Sequence, residues 1–548
     1  MKDVRRRRRG RPCGEQLAGV MDKIRCIDTP APPPPRPGPA AESIAAHLQR
    51  RLGDGPLLIQ ADGKHLDAAG CLEAVGPLAG ALAQRRVGAG QRVAVLHPLS
   101  VDALLLWWAI DHLGAVYLPL NPSWPPAMLR RVLTARGVRR LLVEESLAGL
   151  AQRSVAGTGI EVIDVDDLHA TPGAAPPPAG RGPFEDCCIV HNSGRPGIFR
   201  GVRASWRMLT TMGANTVAHD RTARRLAATP PCFMGTLVGV VGAVGGQGSV
   251  AVLPGLSPDT FWPALRAAEV NFASLIDPTL ADLVRRPPSP GERDHHLRLV
   301  TASAAQRDLN LSARARFGIS WVAGLAKTEA CGAIATSTDP GPEEGVGRCL
   351  EPYEGRIVDA ADAPVPPGTP GELVLRSRLE GALPAGYADD PEASAALWAG
   401  GWLHTGWRLT RDTEGWLHAE GPVSIDAVVE RRGGYMFVAD LEGLVGEATG
   451  ASGVRIAARP GSRIAARPRS RIATPSGSED AGAPVIVAWL AGTALARTAL
   501  VDALDAALPA ALVPDVAAVV DRLPTDPAQA PLSPGAFWLR TGQRAQSC

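Results

Sequence analysis

Short apolar runs rich in valine and leucine alternate with amphipathic stretches of about three helical turns through most of residues 42–344. SIAAHLQRRL, from Ser43, spaces its apolar residues as a helix. PLLIQADGKHL reads as a hairpin, and CLEAVGPLAGALAQRRVGAG as a helix closed by glycine. QRVAVLHP, VYLPLNP and RRLLVEE predict buried strands, with helices in VDALLLWWAIDHLGA and PPAMLRRVLTARGV between them. Leu104 to Trp108 predict the sheet-facing side of the first of these helices, which places both tryptophans in the core. The alternation resumes after residue 203. RRLAATPP leads into MGTLVGVVGAVGGQGSVAVLPG, FWPALRAAEV, NFASLID and TLADLVRR, read as helix, strand, helix, strand and helix. LRLVTASAA is a further buried strand, and ISWVAGLAKTEACG a strand running into a loop. Continuous Val/Leu strands alternating with helices predict a parallel sheet covered on both faces.

From Gly345 the pattern changes to short strands with frequent Gly/Pro turns, as in GRIVDAADAPVPPGTPGELVLR, which predicts a small β-barrel or β-layer before a boundary near Gly421. Beyond it, PVIVAWLAG, ALARTALVDALDAAL and PDVAAVVDRLP read as strand, helix and last strand of a small α+β unit. A tandem repeat at 455–478 (RIAARPGS, RIAARPRS, RIATPSGS) interrupts that unit. Its Pro, Ser and Arg content predicts a low-complexity loop; a basic docking loop is the functional alternative. Residues 1–41, an arginine run followed by APPPPRPGPAA, predict a disordered tail, with a nucleic-acid or membrane tail as the functional alternative, and Met21 is an alternative start. The expected fold is α/β. It comprises a large N-terminal domain (42–420) of two α/β subdomains plus a small β-barrel, and a small, mobile α+β C-terminal domain (421–548).

Composition narrows the function classes. A formal net charge of +2 over 548 residues argues against a general nucleic-acid binder, and the basic excess is concentrated in Arg5 to Arg9. Nine cysteines without CxxC or His/Cys spacing indicate neither a zinc site nor a disulfide framework, and Cys187 and Cys188 read as core residues. No apolar run reaches the ~18–20 residues of a membrane span, and no apolar segment follows the arginine run, so a cytoplasmic protein is expected. Lysine is scarce: Lys2, Lys23, Lys64 and Lys327 are all there are.

Residues 190–202, VHNSGRPGIFRGV, carry the densest candidate chemistry. Glycines that let backbone N–H groups approach an anion, a hydroxyl at Ser193 and a cation at Arg200 suit a phosphate cradle between a strand and a helix opening near Ala204. No Gly-Lys-Ser/Thr closes the segment, so it is not a P-loop. Read alone, the same residues also describe a surface turn.

Several segments in one order across residues 42–535 resemble the adenylate-forming superfamily of acyl-CoA synthetases, adenylation domains and luciferases. GAVYLPLNPSWPPAMLRRVL is similar to an early segment of that family. VHNSGRPGIFRGV aligns without gaps to its phosphate loop, usually Thr-Ser-Gly-Thr-Thr-Gly-x-Pro-Lys-Gly-Val. LAKTEACG resembles its Tyr-Gly-x-Thr-Glu segment, and GVGRCLEPYEGRIVD, TPGELVLR, GYADDPEASAALWAGGWLHTGW and DTEGWLHAEG follow at the expected intervals. The resemblance implies two half-reactions. A carboxylic acid attacks ATP, with Mg²⁺, to give an acyl-adenylate; then coenzyme A or a phosphopantetheine arm displaces AMP.

Carried over by position, Ser193, Gly194, Gly197 and Gly201 keep the loop's skeleton, and Arg200 stands at its lysine. Thr328 and Glu329 match the Thr-Glu pair, in which the carboxylate helps hold Mg²⁺, and Thr405 and Gly406 match a later nucleotide segment. Other positions depart. The loop's threonines are Asn192, Arg195 and Pro196, and Pro196 removes an N–H donor. The adenine-stacking aromatic is Leu325, followed by Ala326; the ribose-binding aspartate is Trp407; the ribose arginine is Pro422. The acyl-pocket histidine is missing from PPCFMGTL, at Phe233 or Met234. The C-terminal adenylation lysine falls near Ala530, no lysine follows Lys327, and Arg540 lies too far along to replace it. The glycine-rich segment GVVGAVGGQG implies either a roomy acyl pocket or close helix packing. Three functions stay open: a member impaired in adenylation that acts as a binding or accessory protein, alongside a carrier protein or an active ligase; an acid–thiol ligase, including one performing only the thioesterification half-reaction; and a different activity recruiting His191 or Cys331.

Overall fold

The computed structural model describes residues 43–195, 198–216, 220–275, 277–303, 307–330, 336–338, 345–419, 428–431, 434–460, 484–493, 495–508, 514, 516–520, 523–524 and 537–538. The expected tail (1–41), the boundary at 420–421 and repeat residues 461–478 lie outside them.

Two α/β sheets form the body. The first has six strands in the spatial order Glu161–Asp164, Arg140–Val143, Arg92–Leu96, Val116–Pro119, Asp186–Arg195 and Ile198–Ser205. All its neighbours are parallel except the last pair, a hairpin. The second has eight, ordered Thr336–Thr338, Ser320–Gly324, Leu299–Ser303, Phe272–Ser274, Arg224–Ala227, Ser249–Val252, Leu58–Gln60 and His65–Leu66; only its two edge pairs are antiparallel. A five-stranded antiparallel sheet follows: Gly345–Gly347, Leu417–Ala419, Leu403–Arg411, Gly371–Ser377 and Tyr353–Val358. The C-terminal part carries a hairpin (Val428–Arg431, Gly434–Phe437) and a four-stranded sheet, Gly453–Pro460, Pro484–Ala491, Val516–Val520 and Phe537–Trp538. Helices Val438–Thr449 and Arg497–Ala507 accompany that sheet.

The expected order of strands and helices holds through the N-terminal part, with local differences. Residues 190–202 form a hairpin, with strands running through Arg195 and from Ile198, and the next helix opens at Trp206 rather than directly after a cradle. Helix Ala68–Gln84 is closed by Arg86 at φ 59°, not by glycine; its N–H still reaches the Ala83 carbonyl at 2.8 Å. Helix Arg307–Phe317 is absent from the hydrophobic pattern because its residues are mostly polar. The first octapeptide of the repeat is not loop: Arg455 to Pro460 belong to edge strand Gly453–Pro460. Val516–Val520 is not the last strand, since Phe537–Trp538 pairs beside it.

The core centres on helix Val101–His112. Ser100 caps it, its hydroxyl accepting from the Ala103 N–H at 3.0 Å. Trp107 and Trp108 are fully buried. Trp107 stacks on Trp206 at 6.0 Å and on Tyr117 at 5.7 Å, while the Trp206 indole donates to Asp111 Oδ1 at 2.6 Å. Cys187 and Cys188 are core residues as expected. The glycine-rich helix Met234–Gly245 shows the close-packing reading of its segment. A Cβ on Gly213 of helix Trp206–Thr216 would meet Gly242 N at 2.9 Å, whereas one on Gly235 or Gly239 would meet nothing within 4 Å. The C-terminal part shares a core with the six-stranded sheet: Met436, Leu441 and Val445 belong to one apolar cluster with Leu129, Leu133 and Ile189. Arg131 grips Glu447 through both guanidinium nitrogens, at 3.1 and 3.0 Å.

These two glycine sites predict opposite outcomes. Gly213→Ala should destabilise the protein by about 1–3 kcal/mol through overpacking. Gly235→Ala, with open space, should be neutral or stabilising by up to ~1 kcal/mol. Thermal unfolding of the two variants checks the contrast; equal midpoints would refute the close crossing.

Candidate functional site

Glu329 is the centre of the site and has no solvent exposure. It lies in the short turn Thr328–Ala330, just beyond strand Ser320–Gly324 of the eight-stranded sheet. Its Oε1 accepts from the Asn192 side-chain amide and from the Tyr387 hydroxyl, the latter at 2.5 Å. Asn192 comes from hairpin strand Asp186–Arg195. Tyr387 bridges to Val202 on the second hairpin strand, where Arg203 N donates to Gly386 O and Ala388 N to Gly201 O. Burial, and then the negative charge of Glu329, push the Tyr387 phenol well above its usual range, so it stays a proton donor. Lys327 supplies the cation. Its Nζ donates to the Thr405 carbonyl at 2.9 Å and stands 3.8 Å from Glu329 Oε2.

A second group of charges supports the hairpin from below. Asp389 is gripped by Arg92 at 2.6 and 3.1 Å and lies 3.5 Å from the buried Arg136. Arg136 donates to the Ala388 carbonyl at 2.6 Å and to His191 Nε2 at 3.4 Å. His191 is buried with its ring edge-on to Trp124. Burial first, and the Arg136 charge second, lower its pKa to about 3, so it is neutral at physiological pH.

The residues singled out from sequence fall into three groups. Glu329 and Thr405 are brought together through Lys327. The Thr405 hydroxyl is taken up, donating to Leu373 O at 2.6 Å. Thr328 is half-buried beside Glu329. Arg200 pairs across the hairpin from Asn192, but its guanidinium lies 3.5 Å from Asp390 and 5.2 Å from the Tyr387 ring centre, so its charge is engaged by protein. Gly201 has a packing reason to be glycine: a Cβ there would sit 2.6 Å from Ile189 Cγ2 and 3.0 Å from Arg136 Nε. Ser193 and Gly194 are in strand Asp186–Arg195, their side-chain surroundings not described; Gly197 and Pro196 lie outside the described residues, as do Cys331, Pro422, Ala530 and Arg540. Trp407 and Leu325, at the expected ribose and adenine positions, are buried in the main core, and Met234 joins them there.

The residues do not fit a divalent cation at Glu329. One carboxylate oxygen is taken by two neutral donors, and the other already faces an ammonium. Among the described residues no group of three or more His, Cys, Asp or Glu could hold a metal ion. Lys327, Asn192 and Tyr387 were not legible as partners of Glu329. The signal available was the rarity of lysine, with one of four placed two residues before the key carboxylate.

Comparison with known proteins matches residues 46–387 to the family described as "AMP-binding enzyme". The chain is 26% identical over 402 residues to the sulfoacetate–CoA ligase of Cupriavidus necator, covering 69% of this chain and 78% of that one. To 4-coumarate–CoA ligase 2 of Oryza sativa subsp. japonica it is 27% identical over 382 residues, covering 60% and 65%. Among solved structures, o-succinylbenzoate CoA synthetase from Bacillus subtilis superimposes with a TM-score of 0.71 at 19% identity, over 88% of this chain and 96% of that chain. Amide bond synthetase McbA from Marinactinospora thermotolerans gives 0.70 at 21%, over 89% and 97%. At these identities the structural likeness concerns the fold.

The His191 environment sets a pH dependence. Its folded pKa, about 3, lies below the ordinary 6.5, so between those values the unfolded chain takes up a proton that the folded chain refuses. Stability contributed by the neutral ring is therefore complete above pH 6.5 and lost progressively as pH falls, by up to about 1.4 kcal/mol per pH unit. Urea titrations from neutral pH down to pH 4 should show a shallower loss for His191→Gln than for the unsubstituted protein. Parallel profiles would contradict the burial of a neutral imidazole.

Proposed function

The chain belongs to the AMP-binding enzyme family, and from that premise we propose that it is an acyl-CoA synthetase-like protein impaired in adenylation, acting as a binding or accessory protein. The family implies ATP or AMP and Mg²⁺, and the names of the relatives add coenzyme A and a carboxylic acid. The observation that carries the proposal is Trp407. By the resemblance it falls where the family has its ribose-binding aspartate, and it is 2% exposed, packed into the main core. An indole offers no carboxylate to accept from the ribose hydroxyls. Leu325, buried at the adenine position, and the absence of any lysine after Lys327 point the same way. Loss of one preorganised transition-state donor costs about 10²–10³ in rate. Several such positions are altered here, although their effects do not simply add. A carrier protein or an active ligase is the kind of partner such a protein would serve.

The names of the relatives favour a second reading, an acid–thiol ligase that performs at least thioesterification on a supplied acyl-adenylate. This half-reaction needs neither the adenylation lysine nor turnover of pyrophosphate.

ATP–pyrophosphate exchange over a panel of carboxylic acids separates these readings. The expected signal matches the protein-free control, and calorimetric titration with ATP and Mg²⁺ should show weak or no binding. Exchange comparable with that of an active acyl-CoA ligase would overturn the proposal. Thioester formation from a synthetic acyl-adenylate and coenzyme A, without exchange, would establish the second reading in its place.

A further inference from the structure

A carboxylate with no exposure keeps its charge only if a countercharge lies close by. Around Glu329 the two hydrogen-bond donors, the Asn192 amide and the Tyr387 hydroxyl, are neutral and both serve Oε1. Oε2 is buried and makes no hydrogen bond. The positive charge facing it is the Lys327 ammonium at 3.8 Å. That ammonium is anchored from a different sheet, by the Thr405 carbonyl on strand Leu403–Arg411, and its side chain is 13% exposed. Arg200, a further cation of the hairpin, is turned to Asp390 and the Tyr387 ring.

A magnesium ion requires near-octahedral oxygen ligands at about 2.0–2.1 Å and keeps several waters. At Oε2 it would have to share one carboxylate oxygen with a fixed ammonium, among neutral side chains. We infer that the Lys327 ammonium takes the place of a divalent cation at Glu329, so that this site carries its own cation. The inference concerns the site of the proposed function but does not require adenylation to be lost, and its readouts are metal binding and stability rather than turnover.

The test uses the full chain, with Mn²⁺ alone as the probe, free Mn²⁺ being followed by electron paramagnetic resonance, and thermal unfolding in EDTA against millimolar MgCl₂. The unsubstituted protein should leave Mn²⁺ free and unfold at the same temperature in both buffers. Lys327→Met, which strips Glu329 of its countercharge, should unfold at lower temperature in EDTA, recover in MgCl₂, and bind Mn²⁺ roughly tenfold or more tightly than the unsubstituted protein. Lys327→Arg should behave as the unsubstituted protein does. Adding Glu329→Gln to Lys327→Met should abolish the metal response. One Mn²⁺ bound per unsubstituted chain and lost in Glu329→Gln would overturn the inference, and this arm stands even if Lys327→Met does not fold. A Lys327→Met protein with unchanged midpoint and no metal response would overturn it equally. Pyrophosphate exchange has no bearing on either result, so failure of this inference and failure of the functional proposal are read separately.

Discussion

Burying one carboxylate ties three sheets together. Glu329 follows a strand of the eight-stranded sheet, Asn192 belongs to the hairpin of the six-stranded sheet, and Lys327 is held by a carbonyl of the five-stranded sheet. Tyr387 adds a fourth element, pinned to the hairpin by its bridge to Val202. Each group removed would leave a desolvated partner behind, which costs more than the bond itself contributes. The relative placement of the sheets is thus fixed by polar groups at the site as well as by the apolar core behind it.

The layer beneath the hairpin works on the same principle with different members. Arg92 and Arg136 converge on Asp389, and Arg136 reaches on to His191 and the Ala388 carbonyl. This explains the glycine at 201 without reference to a ligand: Ile189 and Arg136 occupy the space its Cβ would need. The helix that carries this layer's neighbours, Pro126–Ala135, is also where the C-terminal part docks, through Arg131 and Glu447 and the shared apolar cluster. Hairpin and C-terminal part therefore pack around the same helix and six-stranded sheet.

What was legible in the sequence follows from where the information sits. The parallel sheets were readable because Val93 to Leu96 and Leu141 to Val143 are buried on both faces and so appear as unbroken apolar runs. Both tryptophans of helix Val101–His112 were placed correctly for the same reason. The hairpin was not, because its glycines and polar residues carry a turn composition while its strands are set by long-range pairing, such as His191 with Gly201. Helix Arg307–Phe317 was missed because its buried face is narrow: Ala313 and Phe317 are buried, yet Leu311 is exposed. The Lys327 contact was unreadable in principle, since it depends on a carbonyl 78 residues away.

Charge balance bears on Trp407 and Lys327 together. By position, Trp407 replaces a carboxylate of the pattern the sequence resembles, while Lys327 stands at an unspecified position of that pattern, two residues before Glu329. A lone buried carboxylate requires a cation from outside, so the folded state is favoured by whatever supplies that cation. A carboxylate already facing an ammonium makes no such demand. Glu329 and Lys327 together are neutral, and the indole of Trp407 adds apolar burial where a charged grip would otherwise need solvent or ligand. Among the described residues, the countercharge of Glu329 is thus supplied from within the chain.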